Sequence, residues 1–165
     1  MARLYTVKFD NLTMQATAMD LFTIPGPTAG KTLKIKRVEI GCPNVTLATG
    51  QGLQLRARYL PATVTLGTGG TGATGGITPG KIDQGDAVSS VTTARTGDST
   101  AGGGSVTSTG GTAVTLGVWG VHLYQGFDRQ FDQLIPNGAA FVFDLESTVS
   151  GTVSLSGTLT LSEEG

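Results

Sequence analysis

The stretch TVSGTVSLSGTLTL, Thr148–Leu161, alternates with a period of two. Val149, Gly151, Val153, Leu155, Gly157, Leu159 and Leu161 share one parity; Thr148, Ser150, Thr152, Ser154, Ser156, Thr158 and Thr160 share the other. Side chains of a strand point alternately to opposite faces, so the pattern predicts a strand with one apolar face and one face of small hydroxyls. Residues up to Gly151 can be assigned to the turn before it. Such a strand needs pairing partners at its edges and a second sheet over its Val/Leu face. The row of Ser and Thr suits a face packed closely against another surface, since a freely solvated face normally carries Lys and Glu.

Composition agrees with an all-β chain. There are 26 glycines in 165 residues, and charged residues make up only 14%. That balance fits many turns better than helices. The length predicts one domain, residues 1–165, large enough for a real core. A net charge of −1 gives no bulk reason to expect nucleic acid or an anionic membrane as partner. Cys42 is the only cysteine, which excludes an internal disulfide and a Cys-rich zinc site. No apolar stretch approaches a membrane span, and MARLYTVKFD lacks an apolar signal core, so synthesis and folding in a cytoplasm are expected.

Outward from the opening stretch, Leu4–Phe9 reads as a strand with Tyr5, Val7 and Phe9 on one face. Asn11–Met19 fits a helical turn or an irregular edge strand, and Asp20–Ile24 is extended until Pro25-Gly26-Pro27. In Thr32–Ile40 the apolar parity slips between Leu33/Ile35 and Val38/Ile40, which predicts a β-bulge near Lys36-Arg37. Gly41–Gly52 reads as a loop. Leu53–Leu60 places Leu53, Leu55, Ala57 and Tyr59 inward and Gln54, Arg56 and Arg58 outward. Residues 61–117 form a loop-rich insertion: 29 of its 57 positions are Gly or Thr and none is aromatic, so it cannot build a dense core of its own. Short strands fit Thr63–Leu66, Ala87–Thr93 and Ala113–Gly117. Val118–Tyr124 returns to core character, Gly126–Phe131 (GFDRQF) reads as a connector, and Pro136-Asn137-Gly138 as a turn. Ala139–Glu146 is expected to pair antiparallel with the last strand through a turn near Ser147–Gly151, and Glu163-Glu164-Gly165 to be a solvated tail. The sum is seven to nine strands in an antiparallel two-sheet sandwich of jelly-roll or Greek-key type.

No motif carries chemistry. Gly26–Thr32 (GPTAGKT) has one residue too few for a phosphate-binding loop and precedes a strand pattern, and Gly67–Gly72 matches GxGxxG in a tract where chance suffices. His122 is the only histidine and lies on the parity opposite Trp119, Val121 and Leu123, so no triad and no transition-metal site is expected. Asp83, Asp86 and Asp98 fall in Gly-rich loops without calcium-loop spacing. Asn11-Leu12-Thr13 and Asn44-Val45-Thr46 fit a glycosylation pattern that is incidental without secretion. The one basic concentration is Lys34, Lys36, Arg37, Arg56 and Arg58, placed on strands expected to be neighbours. It reads either as a solvated face screened by Glu39 or as a docking surface for an acidic partner. No exposed aromatic row interleaves with it, which argues against nucleic acid.

The opening MARLYTVKFDN, DLFTI at Asp20–Ile24, ITP at Ile77–Pro79 after the Gly-rich tract, and SGTLTLSEEG at Ser156–Gly165 together resemble capsid decoration (cement) proteins of tailed bacteriophages. The resemblance runs nearly end to end and lies in layout and local wording. It implies a jelly-roll or β-sandwich body on the outer surface of the virion head. It also implies a homo-oligomer, often a trimer, that clamps the major capsid protein and stabilises the shell. No catalytic residue, metal or cofactor is implied. The long Gly/Thr tract and the hydroxyl-rich last strand depart from that layout.

The expected role is therefore a structural one without enzymatic activity. The residues expected at the interface are Arg56, Arg58, Lys34, Lys36 and Tyr5, with the 61–117 loops. Rival readings are another virion position (a head–tail joint, a tail or fibre module) or a carbohydrate-binding module using Trp119, Tyr124, Phe127 and Phe131 beside Asp128 as a stacking platform.

Overall fold

The structure, a computed structural model, describes residues 2–14, 18–47, 52–61, 63–67, 69–71, 76–99, 107–108, 111–121, 126–146 and 151–165. The strands are β1 (Arg3–Thr13), β2 (Met19–Pro25), β3 (Thr32–Leu47), β4 (Leu53–Leu60), β5 (Val64–Thr65), β6 (Gly80–Lys81), β7 (Asp98–Ser99), β8 (Thr107–Ser108), β9 (Val114–Val121), β10 (Phe127–Ile135), β11 (Ala140–Leu145) and β12 (Gly151–Glu164). Two five-stranded antiparallel sheets face each other, ordered β10-β3-β12-β1-β6 and β7-β2-β11-β4-β9, while β5 pairs with β8. Stripped of the two-residue strands, the orders are β1-β12-β3-β10 and β2-β11-β4-β9, the arrangement of a jelly roll.

In this topology nearly every successive long strand changes sheet. The expected hairpin between Ala139–Glu146 and the last strand is therefore corrected: β11 lies between β2 and β4, and β12 between β3 and β1. Alternation says which side chains point inward but not which sheet a strand joins, and β11 is buried on both faces. β4 and β9 are the consecutive long strands that do pair, so residues 61–113 are a long excursion between two neighbours of one sheet.

The core is built by the alternations read from the sequence. Tyr5 and Val7 of β1 and Val153, Leu155, Leu159 and Leu161 of β12 are buried, and meet Leu21, Phe22, Phe141 and Phe143 of the facing sheet. Phe9 and Phe22 are 4.9 Å apart at one side of the sandwich, and Trp119 and Phe127 are 5.3 Å apart at the other. Each buried large side chain of this kind contributes roughly 1.5–3 kcal/mol. The β3 bulge falls where the parity slips: Thr160 faces Arg37 and Leu161 faces Ile35, leaving Lys36 as the extra residue. Leu33, Ile35, Val38 and Ile40 are all buried as a result.

Four other expectations change. Gly41–Gly52 is not simply a loop, because β3 runs on to Leu47; a second register shift at Ser154/Ser156 absorbs Cys42 and Pro43, so the missing donor of Pro43 falls at an irregularity in the ladder. GFDRQF opens β10, a sheet-edge strand whose charged residues face solvent. Ala87–Thr93 is not a strand; the backbone pairing lies just beyond, where Arg95 bridges Thr23 and Ala94 bridges Ile77. Glu163 is 3% exposed and belongs to no solvated tail.

Glu163 accepts from Lys31 Nζ at 2.8 Å, Ser89 Oγ at 3.0 Å and the Ser90 amide at 2.9 Å, tying the last strand to the insertion. Burial pushes its carboxyl pKa up, but the donors outweigh burial and hold it below its ordinary value of 4.5. A carboxyl depressed on folding contributes stability above its unfolded value and loses it as pH falls through the folded one. Glu163→Gln should therefore lower stability by about 1.5–3 kcal/mol at pH 7. Between neutral pH and pH 3, urea midpoints of wild type and variant should converge on the acid side; a gap that persists unchanged refutes the assignment.

Candidate docking surfaces

Jelly-roll alternation separates the basic residues. Lys34, Lys36 and Arg37 lie on β3 in one sheet, Arg56 and Arg58 on β4 in the other, so the two strands are not neighbours. Neither group forms an unbalanced positive patch. Arg37 grips Asp128 with two hydrogen bonds, 2.8 and 2.6 Å, and Lys36 and Lys34 reach Asp132 at 3.0 and 3.6 Å. The Arg37 hydrogen bond lowers the Asp128 pKa, and those of Lys36 and the charge of Lys34 lower that of Asp132. These pairs are solvent-exposed and join β10 to β3 across the sheet.

Arg56 and Arg58 are more deeply committed. Arg56 bonds both oxygens of Asp144 at 3.1 Å and also meets Glu146, while Arg58 bonds Asp144 at 2.7 Å and Asp20 at 3.3 Å. Burial lowers the Arg56 pKa, but the carboxylates, Asp144 first, more than offset it. Asp144 and Asp20 are 4% and 2% exposed, so the guanidinium groups act as lids on buried carboxylates. Tyr5 is corrected as an interface residue: it is fully buried and its hydroxyl donates to Ala87 O at 2.9 Å. Burial, then the Glu163 charge, raises its pKa.

The hydroxyl face of β12 proves informative. β12 is the central strand of its sheet, and its outward residues stand between β1 and β3, with longer side chains on both sides of Thr158 and Ser162 and on the β3 side of Thr160. Thr158 lies between Lys8 and Glu39, Thr160 between Thr6 and Arg37, and Ser162 between Leu4 and Lys34. Small side chains flanked by long ones make a trough. Two shallow grooves lie on this face: one of about 650 Å³ around Gly157, between Lys8, Glu39 and Asp128, and one of about 520 Å³ between Leu4, Arg37, Phe131 and Thr160. Across the end of the trough run Leu134, Lys34, Ser162, Leu4 and then Ile82, whose amide donates to Leu4 O. Leu134, Leu4 and Ile82 are 45, 41 and 52% exposed. Sequence reasoning missed them because Leu134 and Leu4 are single apolar residues on the polar parity of their strands, and Ile82 follows β6 in the Gly-rich insertion.

Three aromatic residues of the expected sugar platform, Trp119, Phe127 and Phe131, turn inward. Trp119 meets Phe127, Phe131 and Phe143, and Phe131 meets Phe141. His122 and Tyr124 lie outside the described residues. Among the described residues, no group of three or more His, Cys, Asp or Glu could hold a metal. Asp98 pairs with Arg95, and Asp83 accepts from the Gly85 amide. Within the GxGxxG match, Gly70 has a structural role: a Cβ there would lie 2.2 Å from Thr96 O, and its amide donates to Asp98.

No protein-family model matches the sequence, and no curated protein matches it. Among solved structures, the chain is similar to a protein of the T13 particle of the virus IBDV, at 13% identity and a TM-score of 0.20 over 98% of this chain. It is also similar to the infectious bursal disease virus VP2 subviral particle, at 13% identity and a TM-score of 0.14. The chain spans 39% and 41% of those chains, about two-fifths of their length. Likeness at this level carries no argument about function.

Proposed function

We propose that the protein is a virion structural protein, a capsid decoration protein that seats on the major capsid lattice and stabilises the head. The observation that carries this reading is the β12 trough: an outward sheet face with a floor of small hydroxyls, a β3/β10 rim of mutually neutralised charge and exposed leucines at one end. Such a face accepts a close, dry contact, and its rim ion pairs favour orientation over raw affinity. The jelly-roll topology is compatible with this role but, as a fold shared by capsid and lectin domains, does not select it. The sequence resemblance to phage decoration proteins supplies the partner. Symmetry would multiply weak individual contacts into stable decoration.

The test is to mix the protein with undecorated phage heads and image the particles by cryo-electron microscopy. Regular density over the lattice is expected, with the β12 face against the shell. Thr158→Arg/Thr160→Arg, which fills the trough with side chains that point to solvent, should abolish decoration while leaving the thermal midpoint within a few degrees. Normal decoration by that variant would sink the trough as the contact. Density confined to one vertex would move the protein to a joint or tail position.

A further inference from the structure

The two lateral sides of the sandwich are treated differently. On the β1/β2 side the insertion covers the edges: β6 pairs with β1, β7 with β2, and Arg95 bridges Thr23. On the other side, β10 and β9 end their sheets. β10 carries Asp128, Arg129 and Asp132, the kind of charged residues that discourage edge-to-edge pairing. β9, VTLGVWGV, is eight residues long with no charged residue and no proline, and its Val114 and Val118 are 50% and 43% exposed. Among the described residues, no strand pairs with its outer edge. Among the described residues, the bulge that leaves Leu116 extra against β4 is its one edge device.

We propose that β9 is a self-association site, at which a second copy of this chain adds its own β9 antiparallel about a two-fold axis and joins the two sheets into one. The outer backbone donors and acceptors of β9, which no strand pairs among the described residues, call for an extended strand as occupant. Charge favours a second copy. Two-fold pairing places a strand against itself, so any charge it carried would recur across the axis, and β9 carries none. Beside it, the β10 edges of the two copies bring mixed signs, since Arg129 stands between Asp128 and Asp132. Arg129 lies 5.9 Å over the Trp119 ring and makes no ion pair among the described residues. A net charge of −1 adds little overall repulsion.

The inference does not depend on capsid binding and is tested without heads. Light scattering during gel filtration, with the full chain at tens of micromolar, should give twice the chain mass. Hydrogen exchange across residues 114–121 should slow as concentration rises. Val114→Lys/Val118→Lys, at two exposed positions, should leave the circular dichroism spectrum unchanged and yield a monomer over the same range. A wild-type monomer, an assembly of three copies, or a lysine variant that still forms dimers would each overturn the proposal. None of these results bears on whether the β12 trough binds heads.

Discussion

Replacing Arg56 and Arg58 together by alanine is expected to destabilise the domain by about 3–5 kcal/mol, the usual cost of leaving a buried charge without its partner. The two guanidinium groups, 26% and 16% exposed, sit over Asp144 and Asp20, at 4% and 2%. Their removal strips Asp144, on β11 in the middle of a sheet, of its guanidinium partners, and takes one partner from Asp20 on β2. Against a typical total of about 5–15 kcal/mol, such a loss is large. Urea denaturation at pH 7 should show it, and Arg56→Ala/Arg58→Ala/Asp144→Asn should recover much of it, because the uncompensated Asp144 charge is gone. A loss below about 1 kcal/mol in the double variant would mean that the carboxylates hydrate freely and the network is a surface one. The same reasoning makes these arginines poor reporters of docking, since a variant that fails to decorate heads could simply have lost its fold.

The arginines also mark how far the sequence could be read. Their outward direction was legible from the alternation of Leu53–Leu60, as were the inward face of β12 and the bulge at Lys36. These are period-two signals local to one strand. What sits opposite was illegible, because Asp144 and Asp20 come from strands remote in sequence that a jelly roll interleaves. The same gap misplaced β11 against β12 and set the β3 and β4 cations side by side. β10 escaped because an edge strand facing solvent has too many polar residues to look like a strand. The trough needed three strands in register before small hydroxyls between Lys8 and Glu39 became a shape.

Asp98→Ala should be comparably severe, at about 3–5 kcal/mol, although it lies in the segment that composition marks as loop. Arg95 and Asp98 form a two-bonded pair at 2.7 Å, with side chains 6% and 0% exposed. Gly97, at φ 74°, turns the chain so that the two side chains meet, and its amide donates to Asp20 O at 2.9 Å. Asp98 also takes the Gly70 amide at 3.0 Å, and Arg95 exchanges both backbone hydrogen bonds with Thr23 at 2.9 Å. One carboxylate therefore fixes two stretches of the insertion and an added strand on β2. Its loss should release residues 69–71 and 94–98 together, seen as faster amide exchange at Arg95 and Thr23 beyond the fall in global stability. Arg95→Met/Asp98→Leu, which removes both charges at similar volume, should restore most of the stability. If Asp98→Ala costs less than about 1 kcal/mol, Arg95 swings out to water, and the Gly/Thr segment rests on the sandwich without being part of its core. The buried pair argues for the opposite: Val91 and Ala94 anchor the segment in the core, and where glycines and threonines supply little further apolar bulk, an ion pair and close approaches at Gly70, to the backbone of Thr96, and at Gly97, to the Leu12 side chain, hold it.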